Sequence, residues 1–416
     1  MQDSRDLSDN SPAVSRNFIV LLLARCFTLL GDALINPKVT LPWILSSLGA
    51  PAVFSGWLSP LRESGSLLPQ VFIAAWVRRY TLRRGLWILG SLLQAACVIA
   101  LLVIVLLLEG AQAGWAMLLT MVTFSLARGL CSVISKDVVG KVIPVERRGS
   151  LNGWSASLAG FMTLLLAFLL WFLPASQSVY LTGLGLAIAC WVLAAVIFHQ
   201  VDEPVGEADQ TDTRLSTLFR PLSFIWRDAL LRRFVLARTL LLCSALSTPF
   251  YVMLAQQLDS SGGLTLLALL MAGSGLASLL SGYLWGELAN NSSRRVMMIA
   301  TLLVSVTGLF LGVVSWLHHT WLSVGWFVPL LYFVVCLAHE GVRTGRKTYL
   351  VNMATGNRRT DYVSASNSWI GLMLLLVGSV GGLVGWIGLE GVIVVLSFLG
   401  LAGVAVSWTL PEVEAG

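Results

Sequence analysis

A run of apolar stretches, each about long enough to cross a bilayer, limits what this 416-residue chain can fold into. A spanning helix needs about 20 mostly apolar residues. Twelve segments qualify, at 17–46, 52–77, 85–108, 114–137, 150–173, 179–200, 234–256, 263–289, 295–317, 322–346, 364–387 and 390–409. The connections between them alternate in charge. Every second one is basic (Arg78, Arg79, Arg83 and Arg84; Lys141, Arg147 and Arg148; Arg214 to Arg233; Arg294 and Arg295; Arg358 and Arg359), whereas EGAQAG, PASQSV, DSSGG, LHHTW and GLEG carry no Lys or Arg. Basic connections stay on the cytoplasmic side. Both termini are therefore expected in the cytoplasm.

Composition agrees. The chain is 56% hydrophobic and only 12% charged, against roughly 25% charged in soluble proteins. Its net charge of +6 sits in short connections and not on one soluble face, which argues against nucleic acid as a partner. The six cysteines lie in apolar segments without metal-ligand spacing and read as buried packing residues. The opening MQDSRDLSDNSPAVSR has no basic n-region and does not read as a signal peptide. The expected setting is a bacterial inner membrane, with the chain a monomer in contact with lipid.

The two halves repeat. A shift of 211 positions sets Arg83-Arg84 on Arg294-Arg295, Leu126-Ala127 on Leu337-Ala338, Lys136 on Lys347, and Arg147-Arg148 on Arg358-Arg359. Leu23-Ala24-Arg25 recurs at a nearby offset as Leu236-Ala237-Arg238. The predicted fold class is an all-α membrane protein, with twelve transmembrane helices in two six-helix pseudo-repeats. Its parts are a cytoplasmic tail (1–16), an N-terminal bundle (17–201), a cytoplasmic linker (202–233) and a C-terminal bundle (234–416). Within the linker, 214–234 places Leu215, Leu218, Phe219, Leu222, Ile225 and Trp226 at helical spacing, which predicts an amphipathic helix in the membrane interface.

At these repeated connections the chain resembles the major facilitator superfamily, whose 2–3 loop signature reads approximately G-x-x-x-D-R-x-G-R-R. The 8–9 connection, GYLWGELANNSSRR, is similar to it through Gly282, Gly286, Glu287, Asn290, Arg294 and Arg295. The 2–3 connection, AAWVRRYTLRR, matches only at Arg83 and Arg84. The acidic position is lost in both, which leaves Glu287 as a stand-in for the carboxylate. The 4–5 connection PVERRGSLNG is also similar. The Gly-Pro motif of the family's drug antiporters is missing from the fifth helix.

Ionisable side chains at membrane depth cost about 2.5–3.5 kcal/mol each, so those present demand a reason. Counting 1.5 Å of rise per residue puts Asp32 near the midplane and Arg128 level with it. His339 and Glu340 also fall near the midplane, with Arg343 a turn further in. Lys38, Arg62 and Glu63 fall in the outer third, where Lys38 is expected to pair with Glu63 as an outer gate. The resemblance implies that helices 1, 4, 7 and 10 line a central cavity. Asp32, Arg128, His339, Glu340 and Arg343 would then face the substrate and couple it to protons, since carboxylates in low dielectric respond to neighbouring cations. Glycines 273, 275, 282 and 286, and 378, 381, 382 and 385, suggest close helix contacts. Pro37, Pro60, Pro69 and Pro249 are expected to kink or break helices.

Two decoys fall away. GVRTGRKT (341–348) lacks phosphate-loop spacing, and His318-His319 has no carboxylate or Cys nearby. No cofactor, metal or enzymatic site is expected. The resemblance implies a secondary active transporter working by alternating access, proton-coupled, for a small polar or amphiphilic organic solute. The alternative is a transporter-like protein that serves as a membrane sensor or assembly partner.

Overall fold

The computed structural model describes residues 12–77, 79–173, 176–205, 223–258, 264–317, 320–353 and 357–413. Among the described residues every regular element is helical. Eight stretches are long and apolar enough to cross a membrane, and the chain is an integral multi-pass membrane protein. Val145–Trp171 is a further unbroken helix, and most of the other helices are pieces of interrupted spans, an order consistent with twelve passes.

Proline explains two interruptions. The first span is α1 (Pro12–Leu34) and α2 (Thr40–Ser47), parted at Pro37, which has no N–H to continue the helix. In the break, Asn36 Oδ1 accepts from the Lys38 N–H at 2.9 Å. The second span, α3 (Ala52–Leu67) and α4 (Gln70–Val77), parts at Pro69. Pro60, by contrast, sits inside an unbroken α3. Next come α5 (Arg84–Leu107), α6 (Gly110–Val142), α7 (Val145–Trp171) and α8 (Gln177–Phe198).

Residues 206–222, which include the first part of the interfacial helix expected at 214–234, lie outside the described residues, as do Arg78, His318, His319 and the side chains of Asn290, Arg358 and Arg359. After α9 (Ser223–Arg227), Asp228 caps α10 (Ala229–Leu240) by accepting from the Leu230 and Leu231 N–H groups. The seventh span therefore begins at 229, ahead of the predicted 234. It continues through α11 (Cys243–Leu246) and α12 (Thr248–Leu258). Pro249 lies in the first turn of α12, where its missing N–H needs no partner.

The second bundle is completed by α13 (Leu264–Asn291), α14 (Ser293–Trp316), α15 (Phe327–Asn352), α16 (Asn357–Gly378) and α17 (Val384–Trp408). A 3₁₀ turn, Ser379–Leu383, joins the last two. Gly388 turns the corner within α17 at φ +73° and ψ 178°, a conformation open in practice only to glycine. It falls in the predicted GLEG connection.

The apolar cores reveal the state of the molecule. On the face away from the termini, one core is shared, with Val39, Trp43, Leu166 and Ala167 packed among Tyr251, Met253, Leu270 and Phe327. On the terminal face each half keeps its own. Leu21, Ile134 and Phe198 belong to one core, and Phe234, Met297 and Tyr349 to the other. The halves are joined distally and parted at the terminal face.

Glycine lines the distal seam. A Cβ on Gly378 would lie 2.5 Å from Pro60, and one on Gly371 2.8 Å from Leu68. Gly160 meets Leu279 in the same way at 2.7 Å. At Gly282, Gly286, Gly382 and Gly385 a Cβ would meet nothing within 4 Å, so close approach does not explain those four. Gly378→Val is expected to destabilise the protein by about 1–3 kcal/mol through overpacking. Gly382→Val serves as the neutral control in a thermal melt of the detergent-solubilised protein, and equal melting shifts for the two would refute the seam.

Candidate functional site

A cavity of about 300 Å³ lies between the halves, walled by α1, α3 and α7 on one side and by α12, α13 and α15 on the other. Asp32, in the last turn of α1, is its most heavily engaged group. Arg62 Nη2 donates to Asp32 Oδ1 at 2.6 Å, and Arg128 Nη2 pairs with Oδ2. The Arg62 guanidinium also stands 5.4 Å from the Phe124 ring centroid, a cation–π distance. Asp32 and Arg128 were expected to be level. Arg62 was expected at an outer gate with Lys38 and Glu63, and its place on Asp32 is a correction.

Lys38 also departs from expectation. Its Nζ lies 3.2 Å from His339 Nε2, and no Lys38–Glu63 ion pair forms. The cause is the break at Pro37: Lys38 sits on non-helical backbone, so depth counted along a continuous helix does not give its direction. His339 Nδ1 lies 3.0 Å from Ser244 Oγ, which itself donates to the Leu241 carbonyl. A hydroxyl has one proton to give, so His339 Nδ1–H donates to Ser244 and Nε2 accepts from the Lys38 ammonium. This bond crosses from one half to the other.

Glu340 pairs with Arg343 on the next turn of α15 at 2.7 Å. The Glu63 carboxylate is exposed to the cavity, with no hydrogen bond or ion pair among the described residues, although Lys38 and Arg62 are within electrostatic range. Arg128 also lines an adjoining cavity of about 610 Å³, with Arg25, Lys136, Ser132 and Ser135. The structure thus gathers every charged residue expected within the membrane, though with different partners.

Residues 21–328 match the family model of the Major Facilitator Superfamily. The chain belongs to that superfamily. No curated protein sequence matches it. Among solved structures it is similar to a D-xylose-proton symporter, at 12% identity and TM-score 0.69 over 96% of this chain and 98% of that one. A POT family transporter in complex with 5-aminolevulinic acid is similar at 15% identity and TM-score 0.72, covering 94% and 95%. A bacterial homologue of the iron transporter ferroportin, in an inward-facing state, is similar at 17% and 0.68, covering 97% and 99%. At these identities the likeness is one of fold.

The superfamily's loop signature lacks its carboxylate here, and the structure supplies others from distant segments. Glu203, just past α8, has no exposed side-chain surface. It accepts from the backbone N–H of Arg83 at 3.0 Å, that of Arg84 at 2.8 Å and Lys141 Nζ at 2.8 Å. Arg83 reaches across to Asp137 of α6. In the second half Glu412, past α17, takes Arg294 Nη2 at 2.8 Å and the Ser292 hydroxyl at 2.6 Å, with Arg295 at 3.6 Å. Arg84 Nη1 donates to the Val201 carbonyl and Arg294 Nη1 to that of Leu410. These parallel bonds equate Arg84 with Arg294, one residue off the 211 shift. Glu287, expected as the stand-in, is exposed and has no partner among the described residues. Sequence reasoning missed Asp137, Glu203 and Glu412. The recurrence of an acid just after the sixth and twelfth spans, at 203 and 412, was the available signal.

Proposed function

We propose that this superfamily member is a secondary active transporter that moves a small polar or amphiphilic organic solute by alternating access, coupled to protons. On this reading it lies in a bacterial inner membrane with both termini in the cytoplasm, and the parted terminal face opens inward. The observation that carries the reading is the cavity between the halves, where Glu63 stands without a direct partner while Asp32 and Glu340 are held by arginines. On this reading Glu63, in contact with the cavity and ion-paired to no one cation, carries the coupled proton. Lys38 and His339 link the halves across the cavity, so a solute that enters between them biases which face is open. The similar fold of a D-xylose-proton symporter supports proton coupling as a proposal.

Proteoliposomes with an imposed pH gradient test this. Wild-type protein is expected to carry protons when its solute, found by comparing cells with and without the protein, is supplied. Glu63→Gln is expected to bind solute and lose the accompanying proton flux. Coupled flux at the wild-type rate in Glu63→Gln would remove Glu63 from the mechanism. A folded wild-type protein that moves neither protons nor any solute in the screen would favour a sensor or assembly role.

A further inference from the structure

We infer that the solute is an anion, carrying a carboxylate or phosphate group, clamped at the parted face between Lys136 of one half and Arg346 and Lys347 of the other. The inference rests on the transport reading and names its substrate class. Lys136 and Lys347 are equivalent under the 211-residue repeat, so the pseudo-two-fold sets them on matching spans, α6 and α15, and the two lie within electrostatic range of each other. They lie six and five residues from the terminal-face ends of those helices, or roughly 8–9 Å deep at 1.5 Å per residue.

Lys136, Arg346 and Lys347 have no hydrogen bond or ion pair among the described residues. Lys347 is within electrostatic range of Arg343, Arg346 and Lys136, and of one carboxylate, Glu340. The carboxylates nearby answer this charge only in part: Asp32 holds Arg62 and Arg128, Glu340 holds Arg343, and Glu63 and Glu340 reach Arg346 electrostatically without forming an ion pair with it. The walls of the two adjoining cavities carry Arg25, Lys38, Arg62, Arg128, Lys136 and Arg343 against Asp32, Glu63 and Glu340. Ser132 and Ser135 add hydroxyl donors beside Lys136 in the 610 Å³ cavity, which is large enough for a small organic ion.

Like charges on opposite halves also resist closure of the mouth. An anion between them reverses the sign of that interaction, so the loaded protein closes at the terminal face and the empty one does not. The clamp thereby ties the conformational change to occupancy.

Two measurements on the full chain test the proposal. The first is thermal stability in phosphatidylcholine nanodiscs at constant ionic strength, titrated with succinate, glycerol 3-phosphate or neutral erythritol. At least one of the two anions is expected to stabilise the protein, with affinity at least ten-fold weaker in Lys136→Gln/Lys347→Gln, and erythritol to do nothing. Stabilisation by erythritol alone, or an anion effect unchanged in the double variant, overturns the clamp. So does an effect seen only on adding phosphatidylglycerol, which would assign the charge to lipid.

The second measurement needs no ligand. Spin labels on Leu82→Cys and Leu288→Cys report the separation of the halves, and Lys136→Glu is expected to shorten it by pairing with Lys347. An unchanged distance overturns the repulsion. Anion binding without flux under a pH gradient leaves the clamp standing and removes transport. Flux of a neutral solute with no anion bound does the reverse.

Discussion

Asp32→Asn is expected to lower stability and abolish transport together. Its carboxylate is shared by two guanidiniums, Arg62 at 2.6 Å and Arg128 on the second oxygen. An amide offers one acceptor and no charge, so two arginines would be left in the cavity without the carboxylate they share. Removing one member of a buried pair costs about 3–5 kcal/mol. Asp32 keeps 14% of its side-chain surface exposed, and cavity water takes the expected loss toward the lower end. The check is a double-mutant cycle: adding Arg62→Gln to Asp32→Asn is expected to restore part of the melting temperature, because one uncompensated charge is gone. Restored stability without restored uptake would separate the structural role of the pair from its role in transport. Additive losses would mean that the two residues do not act as a pair.

Glu203→Ala is expected to be the most destabilising change outside the cavity. Its fully buried carboxylate satisfies the N–H groups of Arg83 and Arg84, where the second connection enters α5, and the Lys141 ammonium at the end of α6. Alanine strands the two N–H groups and leaves Lys141 its longer contact with Asp137 at 3.3 Å. Hydrogen bonds to a charged group contribute about 1.5–3 kcal/mol each, so a loss on the order of 3 kcal/mol is a conservative expectation. Glu412→Ala, at a site with 29% of its side-chain surface exposed, is expected to lose less. Thermal melts of the two variants against wild type give the comparison. The ranking fails if Glu412→Ala melts lower.

These two sites differ in how far sequence alone could reach them. The spans, the charge alternation and the repeat were legible because they depend on composition over 20-residue windows and on offsets between halves. Asp32, Arg128, Glu340 and Arg343 were legible because charges in apolar helices stand out and depth follows from counting. Lys38 was misdirected by a five-residue break at Pro37, since a count along a regular helix says nothing about where a non-helical residue points. Arg62 was misassigned because nothing local distinguishes Asp32 from Glu63 as its partner. Glu203 was not legible because its partners lie 62 and 119–120 residues away. Lys136 and Lys347 were aligned by the repeat before any contact was known.

The distal seam and the terminal mouth are built of different materials, so the rocking proposed above would meet a different barrier in each direction. To open the distal face, Trp43, Leu166, Tyr251 and Phe327 must be parted and wetted, and the cost of wetting apolar surface varies with temperature and little with salt. To close the terminal face, basic side chains must be brought together, and that cost is screened by dissolved ions and depends on which anion is present. On the proposed rocking cycle, one half is expected to respond to heat and the other to the electrolyte on the side of the termini.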